Sequence, residues 1–191
     1  MAFTGLYLVV MAFLGRGAGA GQQVMYFGLL ALLIPLLYVV HRRHSLGAPL
    51  LWCFSFWGLA HLAGGLLPPP GAGTDGELLY SWWLVPGWLR YDQLVHAYGF
   101  GITTWLCWHQ IRGTLRQPDG SPPRPSVGML GLCVAAGIGF GALNETVEFV
   151  TTRFLPETHI GDFENTGWDL VANLAGALVA AAAIRLATAR A

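Results

Sequence analysis

The sequence contains no lysine, and only 10% of its 191 residues are charged, against roughly 25% in an ordinary soluble domain. Ten arginines and ten acidic residues cancel to zero net charge. With no basic run among them, nucleic-acid binding is excluded as a function class. The use of arginine alone reads as codon bias of a GC-rich genome. Cysteine is also scarce. Cys53, Cys107 and Cys133 all fall in apolar segments without CxxC spacing, which excludes a disulfide framework or thiolate zinc site and fits buried, inert thiols. No nucleophile elbow and no Ser-His-Asp pattern occurs, so a serine hydrolase is not expected. The histidines show neither HExxH nor ExxH spacing. No polar stretch is long enough to fold separately, so residues 1–191 are expected to form one domain.

What is present is apolar surface. Hydrophobic residues make up 54% of the chain, and the mean hydropathy is +0.53. The expectation is an all-α integral membrane protein, a bundle of about six transmembrane helices over 2–15, 24–40, 48–67, 91–111, 127–150 and 168–186. The first segment is short for a span of about 20 residues. It lacks the basic start of a signal peptide. Pro35 marks a point for a kink in the second segment. Pro49 suits the start of the third, and Pro68-Pro69-Pro70 its end. Trp82, Trp83 and Trp88 suit an interfacial belt.

Arginine placement gives an orientation. Arg42, Arg43, Arg112, Arg116, Arg124, Arg185 and Arg190 all fall at one face of a six-span topology. The positive-inside rule makes that face cytoplasmic, with both termini inside. The opposite face gathers every acidic residue except Asp119.

That face carries polar groups inside otherwise apolar helices. Asp92 and His96 are spaced i, i+4, Glu145 and Glu148 i, i+3, and Asp169 and Asn173 i, i+4, so each pair shares one helical face. At 1.5 Å rise per residue, His61, His96, Glu145 and Asn173 lie roughly 8–10 Å below the outer helix ends, with Asp92, Glu148 and Asp169 nearer the rim. Ionisable groups at bilayer depth are costly and have a partner or a task. The expectation is one polar pocket in which His61, His96, Glu145 and Asp169 bind a divalent metal ion of undetermined type. Asp92 or Glu148 would be the general base, with Asp162, Asn173 and Asn144 supporting substrate or ligands. The bland alternative is a buried network in which these groups pair with Arg90, Arg153, Asn144 and each other. His41 and His44 read as interfacial, His109 as remote from the pocket, and His159 as a residue of the outer loop, with a place at the pocket rim the less favoured reading. Gly137-Ile-Gly-Phe-Gly141 and Asn173-Leu-Ala-Gly176 read as helix-packing faces.

His61-Leu-Ala-Gly-Gly65, Arg90-Tyr-Asp-Gln-Leu-Val-His96 and Glu145-Thr-Val-Glu148 resemble the motifs of the YjdF family of bacterial inner-membrane proteins. Gly161-Asp-Phe-Glu-Asn-Thr-Gly-Trp-Asp169 resembles that family's GDxWDTQxD segment and departs from it at Glu164, Asn165 and Gly167. The Asn165 departure makes that position a poor choice for an essential acid. More distantly, Asp92 with His96, the glutamate pair, and Asp169 to Asn173 followed by Gly176 resemble the VanZ-like membrane proteins, a group linked with glycopeptide-antibiotic resistance. The resemblance implies a multi-pass protein of the bacterial inner membrane.

Two functions compete. One is a metal-dependent enzyme acting at the outer leaflet on a lipid or lipid-linked envelope precursor. The other is a non-enzymatic subunit or lipid-binding accessory protein of a membrane complex, its polar cluster structural. An ion- or proton-coupled transporter ranks below both, because the inner halves of the last three spans are nearly all apolar. Membrane lipids are the expected partners, with other membrane proteins in the second case.

Overall fold

The computed structural model describes residues 2–71, 77–154 and 163–189. Asp162 and His159 lie outside the described residues. Six α-helices account for most of it: α1 (Ala2–Leu14), α2 (Ala20–His44), α3 (Ala48–Leu66), α4 (Tyr91–Thr114), α5 (Val127–Phe154) and α6 (Phe163–Ala189). Four of them, α2, α3, α5 and α6, are long and apolar enough to cross a membrane. The outward surface carries Leu32, Trp52, Phe56, Leu132, Phe149 and Val179. The interior holds Gln22, His61, His96, Thr104, Glu145, Asp169 and Asn173. Polar groups inside and large apolar groups outside suit a lipid surround, where the hydrophobic effect does not drive helices together.

The helices form two layers. In the first, α1 and α2 pack on α3 around Tyr7, Met11, Tyr26, Leu30, Leu62 and Leu66. The Thr4 and Ser55 hydroxyls, 2.7 Å apart, add a polar tie between α1 and α3. In the second, α4 lies against both α5 and α6, and its contact with α6 is the most extensive in the molecule. Trp108, Leu130, Cys133, Ala181 and Ile184 close the end of this layer remote from Asp92. The α3–α4 contact joins the layers.

Helix α4 departs from the apolar expectation for its span. Its 24 residues give about 36 Å, enough to cross. It is not among the helices apolar enough to qualify, because Asp92, Gln93, His96, His109, Gln110 and Arg112 lie along it. Flanking by α3, α5 and α6 is what lets it carry them. Helix α2 starts at Ala20 and runs through Pro35 without a break. Helix α6 starts at Phe163 rather than near residue 168, so Asp169 sits in its second turn. There it is 1% exposed rather than near a rim.

Small residues set the α4–α6 spacing. A Cβ on Gly176 would run into the Ala97 carbonyl, and one on Gly101 would lie 3.0 Å from the Gly176 carbonyl oxygen. The Asn173 to Gly176 face is thus a packing face. The segment between α3 and α4 is more ordered than a belt of tryptophans suggests. It has a 3-10 turn at Leu79–Ser81 and a short antiparallel hairpin of β1 (Trp83–Val85) and β2 (Leu89–Arg90). Trp82, Trp83 and Trp88 are exposed, while Tyr80 turns inward.

Gly176→Leu should force α4 and α6 apart and cost about 3 kcal/mol or more, in the upper range for overpacking. A thermal melt in detergent checks this, with Gly5→Leu, which meets nothing within 4 Å, expected to melt like the parent.

Candidate functional site

The site is built from the first turns of α4 and α6 and the latter part of α5. Helix α4 begins in a capping box: the Arg90 N–H donates to Gln93 Oε1 at 2.9 Å. This closes the first turn and fixes where Asp92 and His96 project. Asp92 then lies one helical turn before His96, with its Oδ1 3.5 Å from His96 Nε2.

His96 is the centre. Its Nδ1 donates to Asn173 Oδ1 at 3.1 Å and also faces Glu145 Oε1 at 3.5 Å. Two oxygen acceptors on one edge call for a ring proton on Nδ1. Nε2 faces the Asp92 carboxylate, an arrangement that calls for a second ring proton or a cation between them. Asn173 is itself seated against Gly141, where a Cβ would come 2.5 Å from the Asn173 amide nitrogen. The last glycine of the Gly137 to Gly141 stripe therefore makes room for the side chain that orients the imidazole.

Asn165 joins the acids. Its Nδ2 donates to Asp169 Oδ2 at 2.6 Å and to Asp92 Oδ2 at 3.1 Å. Its Oδ1 accepts from Arg90 Nη1 at 3.3 Å. One amide thus ties α4 to α6 and holds two carboxylates side by side. The Arg90 guanidinium lies 4.6 Å over the Trp83 ring. On α5, Asn144 Nδ2 donates to Glu148 Oε1 at 2.7 Å. Glu145 is buried and Glu148 half-buried, in the order expected.

Two sets of donors converge on His96. Ligand atoms of Asp92, His96 and Asp169 lie within 4.8 Å of one another, as do those of His96, Glu145 and Glu148. Metal–donor bonds of about 2.0–2.5 Å place two ligands of one ion at most about 5 Å apart, so either set is compact enough for a cation. Three atoms add to this. Glu145 Oε1, Asp169 Oδ1 and Asn173 Nδ2 are buried with no hydrogen-bond partner, and a buried polar atom left unsatisfied carries a cost of its own.

Of the residues expected in a metal site, the structure brings His96, Glu145 and Asp169 together. Asp92 and Glu148, expected as bases, lie among the same donors. His61 belongs to neither set. It sits in an aromatic box on α3, stacked on Trp57 at 5.1 Å with the Tyr26 ring edge-on at 5.0 Å. Its Nδ1 meets the Tyr80 hydroxyl at 2.6 Å. Burial raises the Tyr80 hydroxyl well above its ordinary pKa, and Tyr26, Asp92, Glu148 and Tyr91 raise it further. Tyr80 therefore stays protonated and donates, His61 Nδ1 accepts, and the ring proton sits on Nε2, which is buried without a partner. At the far end of α4, His109 Nε2 faces the His44 carbonyl at 3.4 Å, away from the cluster.

Sequence reasoning passed over Asn165 and Tyr80. Asn165 stands four residues before Asp169, the spacing that shares a face once α6 is known to begin at Phe163. Tyr80 had no comparable signal, because only the fold of the α3–α4 segment carries it inward.

A family model described as "Predicted membrane protein (DUF2238)" matches residues 1–190. The chain belongs to this family. No curated protein and no solved structure matches it. Membership in the DUF2238 family agrees with the apolar helices in making this a membrane protein.

Asn165→Ala should expose two neighbouring carboxylates to each other and lower stability by about 1–3 kcal/mol, the range for stranding buried polar groups. Tyr80→Phe should cost a similar amount by stripping His61 Nδ1 of its donor. Chemical denaturation in detergent micelles measures both, and parent-like curves would mean that these bonds contribute nothing to folding.

Proposed function

We propose that the protein binds a divalent cation between α4 and α6 and uses it to act on a lipid or lipid-linked substrate at the membrane. The observation that carries this reading is the His96 imidazole, its Nδ1 held by Asn173 and its Nε2 turned towards Asp92, within reach of Asp169. Metal-binding histidines commonly have the other ring nitrogen fixed by a hydrogen bond in this way. Asp92, His96 Nε2 and Asp169 would be the ligands, with the unpartnered Asp169 Oδ1 available. A mixed carboxylate and imidazole set suits Zn, Mn or Fe. Such a cation supplies Lewis-acid charge and eases deprotonation of water. Glu148, half-buried and held by Asn144, would take the proton as general base, with Glu145 beneath it. His61, with a buried ring N–H, would donate to a substrate oxygen.

The arginine asymmetry supports reading this pocket as periplasmic in a bacterial inner membrane, with both termini in the cytoplasm and α1 and α4 crossing beside the four more apolar helices. The ordered motifs from His61 to Asp169 carry the finer kinship with YjdF-type proteins and, more distantly, VanZ-like ones. The rival reading, a non-enzymatic subunit with a structural polar network, draws on Asn165 and Arg90, which already satisfy three carboxylate or amide oxygens without a metal.

Equilibrium dialysis of the purified protein against Mn(II) or Zn(II) separates the two. The expected result is one ion per chain, lost in His96→Ala and Asp169→Asn and retained in His61→Ala and Glu148→Gln. Failure of the folded parent to bind either ion, or binding that survives His96→Ala, would favour the structural network. For catalysis, mass spectrometry of membrane lipids should show a change on expressing the parent that Glu148→Gln does not produce.

A further inference from the structure

At the other end of α4, about 24 Å along the axis from His96 to Arg112, lies a second site with opposite chemistry. A cavity of about 460 Å³ opens between the end of α4, the 115–126 segment and the end of α6. Trp108, Arg112, Gln117, Ser121, Arg124 and Thr188 supply its aromatic floor, its two cations and its neutral polar groups. Among the described residues no acid forms an ion pair with either guanidinium. The one acidic residue of this segment, Asp119, accepts from the Ser121 N–H at 2.9 Å and the Ser121 hydroxyl at 2.7 Å, and its charge also interacts with Arg124 from beyond ion-pair distance.

The walls are fixed by bonds that leave Arg112 and Arg124 available. Arg116 spends its Nη1 on the carbonyls of Arg112, Gly113 and Leu115, which closes the end of α4. Arg185 donates to the Pro125 carbonyl and so ties α6 to the end of the segment. Gln117 bonds the Pro122 carbonyl at 3.1 Å, and the Gln117 N–H donates to the Ser121 carbonyl at 2.9 Å. Arg116 and Arg185 therefore have structural tasks, while the Arg112 and Arg124 guanidiniums line the cavity with no hydrogen bond or ion pair among the described residues.

We propose that this cavity binds the phosphate of an anionic phospholipid headgroup. Arginine matches phosphate oxygens with paired donors, and the Gln117 amide keeps a second N–H beside them, beyond the one spent on Pro122. The volume falls within the range of small-molecule pockets. A lipid source is favoured over a soluble phosphate by position, because the cavity sits where the membrane-capable helix α5 begins and α6 ends, and where Trp108 offers an apolar floor to the glycerol and first methylenes. This site is independent of the cation site and stands whether or not that reading holds.

Native mass spectrometry of the full chain in neutral detergent, titrated with phosphatidylglycerol or phosphatidylcholine, tests the proposal. The expected result is one retained phosphatidylglycerol, preferred over phosphatidylcholine. Its affinity should fall about 25-fold in R112Q/R124Q, roughly fivefold for each guanidinium near a lipid phosphate. R42Q/R43Q, which removes the same charge at the end of α2 without touching the cavity, should bind like the parent. Arg124→Gln alone, an exposed position in the connecting segment, should show the fivefold step with an unchanged melting temperature, which separates lost binding from lost fold. Equal losses in both double variants would overturn the proposal by reducing it to general surface charge. Saturation by inorganic phosphate with no preference for phosphatidylglycerol would overturn the lipid source.

Discussion

Everything near the candidate site depends on the hydrogen bond between His96 Nδ1 and Asn173 Oδ1. It joins α4 to α6 at the level where α5 brings in Glu145, and it decides which edge of the imidazole faces the acids. The close approach at Gly176 and the seat at Gly141 let that bond form. Bulk at either place would move the imidazole and the acids apart together. Packing and chemistry are therefore one constraint here: the small residues that bring the helices together also position the polar ones.

The same constraint explains the unusual character of α4. A helix with six charged, amide or imidazole side chains along its length is a poor solitary span, and it is stable among apolar neighbours only when its polar side is covered. Helices α5 and α6 cover the Asp92 and His96 face, and α3 covers the flank that leads to His61. The two layers consequently divide the labour. The α1–α3 layer supplies an aromatic box around His61 and Tyr80, and the α4–α6 layer supplies the acids. The Tyr91 hydroxyl, which donates to the Ala60 carbonyl at 3.0 Å, holds the layers together beside the cluster.

Much of this was legible in the sequence, for identifiable reasons. Six apolar segments announce six helices, and the i, i+3 and i, i+4 pairs on three of them announce one polar level, because helical rise converts spacing directly into depth. The shared level of His96, Glu145 and Asn173 follows from that, whereas Asp169 reads as nearer the rim until α6 is known to begin at Phe163. Boundaries were less legible. Glu164 to Gly167 is polar and ends in glycine, so it reads as a loop, yet the Asn165 bonds to Asp92 and Asp169 draw it into α6. Lateral position was least legible. Depth alone groups His61 with His96, but rotation about α3 sends it to Tyr80 and Trp57. Hydropathy likewise ranks α4 below its neighbours without revealing that those neighbours shield it.

The central claim is that His96 presents one ring nitrogen to a cation held with Asp92 and Asp169. Electron spin echo spectroscopy of the Mn(II)-loaded protein, with histidine alone labelled with nitrogen-15, addresses it most directly. The account predicts modulation from a single coordinated imidazole, abolished by His96→Gln and unaffected by His61→Gln. A spectrum without histidine coupling, or one that loses its coupling only on replacing His61, would contradict it.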